Sequence, residues 1–248
     1  MEDMKMEMPV LSIRNFSKTY RGGKRAVADL SLDICAGDIF GFIGHNGAGK
    51  TTTLKAVSGI LDFEAGEIRI DGHSIQEEPM WCKERMAYLP DNPDLYEYLT
   101  GIQYLNFIGD VYRVPGKVRT ERIGELSEQF GITRSLGDLI STYSHGMKQK
   151  LALISAFLHK PRLLLLDEPF VGLDPEASVV LKENMHALCR EESAIFFSTH
   201  VLEVAQKLCN KIAIIKEGRL VTQGGMEALT GTRSLEEVFM EVVRNEKE

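Results

Sequence analysis

Ser144 and His145 stand side by side within "YSHGMKQK" (143–150), a hydroxyl next to an imidazole. A nucleophile and base of this kind need a third group, commonly a carboxylate, that holds the imidazole in its working tautomer. No acid placed to orient the ring is evident nearby, so the pair makes a poor catalytic triad. The run "HGMKQKLALISAFLHK" reads instead as an amphipathic helix stopped by Pro161. A helix start exposes free N–H groups, and those suit an anion.

The strongest chemistry lies upstream. "GHNGAGKT" (44–51) fits G-x-x-x-x-G-K-[ST]. Gly44, Gly47 and Gly49 let the backbone curl so that several N–H groups face one anion. The helix opening near Gly49 adds its positive end. The candidate phosphate cradle therefore runs from Gly44 through His45, Asn46, Gly47, Ala48 and Gly49 to Lys50, Thr51 and Thr52. Lys50 sets a cation against the outer phosphates, and Thr51 offers a hydroxyl to Mg²⁺. An apolar strand, "DIFGFIG" (38–44), leads into the loop, as the motif requires.

"LLLLDEP" (163–169) supplies the acids. Residues 163–166 are apolar at every position, the pattern of a strand buried on both faces. Asp167 then falls at the carboxyl end of that strand, where open α/β sheets bind ligands, and an acid there suits Mg²⁺. Glu168 comes next, placed to accept a proton from an attacking water.

Alternating strands and amphipathic helices must hold these groups. "VLSIRN" and Leu30, Leu32 and Ile34 alternate with polar residues, as does "EIRIDG" (67–72). Residues 76 to 160 read as mostly helical, with "GIQYLNFIGDVYRV" ending before Pro115 and "VRTERIGELSEQFGI" after it. "RLLLLD" and "AIFFSTH" are buried strands flanking a helix opened by Asp174–Pro175. "KIAIIKEGRLVTQG" is a hairpin turning near Glu217–Gly218. The tail offers a capping box, Ser234 and Glu237, and an apolar stripe of Leu235, Val238, Phe239 and Val242.

The 248 residues, 44% of them apolar, allow a sizeable core, and the net charge of −7 argues against a nucleic-acid partner. Cys35, Cys82, Cys189 and Cys209 form no CxxC pair and read as reduced thiols of an intracellular protein. "MEDMKMEMP" lacks the apolar run of a signal peptide, and no stretch approaches the length of a membrane span. A soluble protein is expected, so work at a membrane would require docking on another protein there.

In this order the motifs resemble the ATP-binding cassette family of transport ATPases, over roughly residues 10–245. The resemblance rests on the loop at 44–51, a signature-like "YSHGMKQ" (143–149), "LLLLDEP", "GLDP" (172–175) and "STH" (198–200). The implied fold is α/β, a P-loop core with a mainly parallel sheet, an N-terminal antiparallel β-subdomain and an inserted helical subdomain. The core would comprise 1–75 and 161–224, the helical subdomain 76–160 and a helical tail 225–248.

The resemblance implies an ATPase that uses ATP and Mg²⁺, with Glu168, His200 and Lys50 as catalytic groups. Thr51, Asp167 and Asp91 would hold the metal. Tyr20 would stack on adenine, although a strand-end tyrosine is an alternative. Asp174 would touch a partner subunit, serve as a helix N-cap, or do both. His200 would reach the γ-phosphate and the attacking water. Ser144 and Gly146 would bind the ATP of a second subunit, packed head to tail with the first.

Two motifs depart from the family pattern. His145 and Met147 replace a glycine and a glutamine of Leu-Ser-Gly-Gly-Gln. Asp91, in "YLPDNPDLYEYLT" (88–100), stands where the family often has glutamine, and an ionised carboxylate cannot donate a hydrogen bond. His145 either points away or tunes the phosphate contact in trans.

The implied partners are a second ATPase subunit, identical or related, and a transmembrane permease of exporter type. The chain would sit at the inner face of the membrane through that permease, with Tyr96, Tyr98 and Leu99 lining the docking groove. A non-transport cassette ATPase and a soluble P-loop kinase or GTPase are the alternatives. The signature before "LLLLDEP" and the late "STH" disfavour the latter.

Overall fold

The computed structural model describes residues 8–245, so most of the amino-terminal stretch read for a leader lies outside the described residues. Strands β1 (Leu11–Thr19) and β2 (Arg25–Ile34) pair antiparallel, and β3 (Ile39–Ile43) leads through the glycine loop into α1 (Lys50–Val57). β4 (Ala65–Ile70), β5 (His73–Ser74), the short α2 (Pro79–Lys83) and β6 (Met86–Leu89) follow. Three helices come next, α3 (Gly101–Val111), α4 (Gly116–Gln129) and α5 (His145–Phe157). The chain then alternates β7 (Leu163–Asp167), α6 (Pro175–Arg190), β8 (Ala194–Thr199) and α7 (Leu202–Leu208). The hairpin β9 (Lys211–Lys216) and β10 (Arg219–Gly225) precedes α8 (Met226–Thr230) and α9 (Leu235–Asn245).

Two sheets result. One is antiparallel, in the order β2-β1-β4-β5; the other has six strands in the order β10-β9-β3-β8-β7-β6. In the larger sheet only the β10–β9 pairing is antiparallel. The expected α/β class, with its antiparallel and mainly parallel sheets, is what the chain adopts.

The all-apolar strands are central because helices cover both faces. Leu163 and Leu165 pack on the side of Leu54 from α1, while Leu164 and Leu166 pack with Leu151 and Leu181 from α5 and α6. All four strand leucines are fully buried. Each contributes about 1.5–3 kcal/mol of burial, so β7 is a rigid base for the acids that follow it.

Residues 76–160 are less uniformly helical than their periodicity suggests, because they carry β6, the edge strand of the larger sheet. Four residues, "MAYL", are too few for a period of two to stand out. At the hairpin tip Glu217 and Gly218 both take positive φ, 50° and 80°, the twist that a two-residue turn between strands demands. The Ser234–Glu237 box closes reciprocally at 2.8 and 3.2 Å. Leu235, Val238 and Phe239 bury the inner face of α9.

Candidate functional site

The glycine loop is tied down by close backbone approaches. Gly49, at φ 110°, caps α1, and a Cβ there would lie 2.7 Å from the Ala26 carbonyl. Only glycine fits both the conformation and the space. Lys50 is buried, and its ammonium donates to the carbonyls of Gly44 at 2.6 Å and His45 at 3.3 Å. The cation is thus held inside the loop, where a phosphate would meet it. The His45 ring turns away from this cleft and meets Phe239 of α9 edge-on, with centroids 5.2 Å apart.

The acids arrive from the neighbouring strand. Asp167 is buried, and the Ser198 hydroxyl from β8 donates to its Oδ1. Its Oδ2 is buried with no partner. Glu168 takes φ 49°, a left-handed conformation that costs a non-glycine residue about 1–3 kcal/mol. Ser198 stabilises that turn by accepting the Glu168 N–H at both its carbonyl and its hydroxyl, 3.2 Å each. Strain at such a position points to a function for the side chain.

The turned Glu168 Oε1 lies 3.5 Å from the Lys50 ammonium and 3.0 Å from His200 Nδ1. Neither contact has hydrogen-bond alignment, and Oε1 is buried without a hydrogen-bond partner. The carboxylate thus keeps a lone-pair site open, as a base requires.

A cleft of about 390 Å³ joins these groups. Tyr20, Asn46, Gly47, Gly49, Lys50, Thr51, Thr52, Asp91, Asp167 and Glu168 all line it. The Tyr20 hydroxyl shares a hydrogen bond of 3.2 Å with the Thr52 hydroxyl, and the ring is 41% exposed, open to a stacking ligand. Lys24 and Ala26 also line the cleft and were not expected there. Only the turn signal "RGG" after Tyr20 hinted that the hairpin folds back. Ser198 went unrecognised within "STH" as the orienter of Asp167.

A model of the ABC transporter family matches residues 27–171. The chain belongs to that family. It is an ATP-binding subunit of the ABC transporter type, and its activity is that of an ATPase. The uncharacterized ABC transporter ATP-binding protein YdbJ of Bacillus subtilis is 33% identical over 98% of this chain and 77% of its own length. The linearmycin resistance ATP-binding protein LnrL of the same organism is 34% identical over 87% of this chain and 69% of its own. A solved ATP binding subunit of an ABC transporter superposes with a TM-score of 0.91 at 31% identity, covering 95% of this chain and 100% of the other.

In this ABC ATPase Ser144 caps α5, accepting the Met147 N–H at 3.3 Å, and stays exposed. Neither Ser144 nor Gly146 lines the cleft of its own chain. Behind them the helix holds the "GLDP" loop. The His145 ring sits so close over Gly172 that a Cβ there would lie 2.9 Å from it. Lys150 pairs with Asp174 at 2.6 Å, and Asp174 caps α6 through the Ala177 N–H at 2.7 Å. The Lys150 contact, with the Ala177 N–H, holds the Asp174 carboxyl below the usual carboxylate range.

A second hollow, of about 320 Å³, opens along the β6 edge of the larger sheet, against the helices α3 and α5. Tyr88, Tyr104, Ile108, Tyr112 and His159 line it. Tyr96 and Tyr98 are not among its walls; they stand exposed with Phe107 in an aromatic cluster that adjoins the hollow, Tyr96 meeting Tyr104 edge-on at 6.2 Å. His159 stacks on Tyr112 at 3.6 Å, and burial pushes its pKa down to about 4.

Proposed function

We propose that this chain is the ATP-hydrolysing subunit of an ABC exporter, acting as a dimer with itself or a related chain. The observation that carries the reading is Glu168, strained to φ 49° and aimed between Lys50 and His200 at the mouth of the cradle. Each ATP would lie between the cradle of one subunit and Ser144 and Gly146 of the other. The free N–H groups of α5 would face the γ-phosphate there. Glu168 would accept the proton of the attacking water, His200 would hold the γ-phosphate side, and Lys50 would neutralise the phosphates.

The donor set fits a hard divalent cation. Among the described residues no cluster of three or more His, Cys, Asp or Glu gathers as in an all-protein cage. Mg²⁺ needs none, because phosphates and water complete its shell. The orphaned Asp167 Oδ2, with the Thr51 hydroxyl and Asp91 in the same cleft, offers it oxygen ligands. When bound, the cation would draw charge from the β- and γ-phosphates.

Among the described residues no helix is long and apolar enough to cross a membrane, so a separate permease would carry the solute. The hollow between α3 and the larger sheet would receive a short cytosolic segment of that permease and hold this chain at the inner membrane face. The likeness to a resistance ATPase supports export over import. No nucleic acid partner is proposed.

Glu168→Gln tests the reading. The variant should bind ATP normally, lose at least about a hundredfold in turnover and accumulate ATP-bound dimers by light scattering. Full turnover would overturn the assignment of the base.

A further inference from the structure

Tyr88 of β6 pairs in register with Leu165 of β7. Side chains two apart on a strand share a face, so Tyr88, Leu165 and Asp167 lie on one side of the sheet. It is the side of α1, where Tyr88 packs against the cluster containing Leu54, Leu163 and Leu165. Diagonal neighbours on adjacent strands stand about 7–8 Å apart, within reach of an aromatic side chain.

On this face two polar atoms are buried and lack a partner, the Tyr88 hydroxyl and Asp167 Oδ2. Buried polar atoms are rarely left so. They do not bond each other, and the other Asp167 oxygen is already occupied by Ser198. Burial pushes the Tyr88 phenol up, with Asp167 and then Asp91 adding to the rise, so the hydroxyl keeps its proton. It is therefore a donor on the sheet face that also carries the orphaned Asp167 acceptor. Asp91, which lines the nucleotide cleft with Asp167, is acceptor-only when ionised.

We propose that Tyr88 is a positioning residue of the metal site. Its hydroxyl donates to a water in the shell of the divalent cation held by Asp167 and Asp91, the donor that the Asp91 carboxylate lacks. The inference rests on the assignment of Asp167 to the metal made above.

The test compares Tyr88→Phe and Asp167→Asn, each in the Glu168→Gln protein with ATP bound, using Mn²⁺ as the probe. Free Mn²⁺ is read by electron paramagnetic resonance. Tyr88→Phe should weaken Mn²⁺ binding about three- to tenfold, the loss of one hydrogen bond. Binding of ATP in the presence of a chelator should be unchanged. The nucleotide-free variant should melt no lower than its parent, since it loses only an unpartnered hydroxyl. Unchanged Mn²⁺ affinity in Tyr88→Phe, with a loss in Asp167→Asn, overturns the role of Tyr88 alone. Unchanged affinity in Asp167→Asn overturns the metal assignment and the inference with it.

Discussion

Glu168 and His200 meet at two points: Nδ1 of the imidazole lies 3.0 Å from Oε1, and the His200 backbone N–H donates to Oε2 at 3.4 Å. The contact exists because β7 and β8 are parallel neighbours, with Asp167 in register with Ser198. Both residues leave the sheet at its carboxyl edge, and the left-handed turn at Glu168 swings its side chain toward the histidine.

Removing the imidazole should slow chemistry more than it weakens binding. His200 is half exposed and does not line the cleft, so His200→Ala should leave the KM for ATP within about twofold. Its kcat should fall by about a hundredfold, the lower range for loss of a donor placed at developing charge. Steady-state phosphate release against ATP concentration separates the two.

Gly49 and Gly47 should respond differently to alanine. At Gly49 a Cβ meets the Ala26 carbonyl, which cannot give way, and φ is 110°. Gly49→Ala should cost about 2 kcal/mol or more, lowering Tm by roughly 4–8 °C. Gly47, at φ 82° with nothing within 4 Å of a Cβ, carries only the backbone strain. Gly47→Ala should cost about 1 kcal/mol. Thermal melts without nucleotide make the comparison.

Acid should destabilise the fold through His159, whose folded pKa of about 4 lies below its ordinary value. The unfolded chain, near 6.5, binds the proton first, so this stabilisation is complete above pH 6.5 and fades as pH falls toward 4. The loss between pH 7.5 and 5 should be about 2 kcal/mol in urea unfolding. His159→Gln should flatten the profile by that amount.

The hollow beside α3 should matter only when the permease is present. Ile108 is half-buried in its wall, and Ile108→Arg places a charge in the surface proposed to receive the permease. ATP affinity of the isolated chain should be unchanged, while stimulation of ATPase by co-reconstituted permease should fall at least about tenfold. Tyr98→Ala, on the exposed cluster outside the hollow, should show the smaller effect.

The cradle, "LLLLDEP" and the caps at Ser144, Asp174 and Ser234 were legible because each depends on near neighbours. Glycine freedom, a helix N-terminus and an all-apolar strand are local facts. β6 was hidden by its brevity, and Lys24, Ser198 and the walls of the hollow by distance along the chain. His145 shows the limit clearly: its contact over Gly172 joins two residues that lie 27 positions apart in the sequence.

The residues alone determined the chemistry on offer, a phosphate cradle with a lysine, a hydroxyl and two acids, because loop curvature and charge are written into short stretches. Only the tertiary structure decided which of those groups meet. Strand order and register bring Glu168 to His200, Ser198 to Asp167 and Ala26 against Gly49. Those contacts are set by which side chains can be buried together across the sheets, a choice that no short stretch of the chain can make.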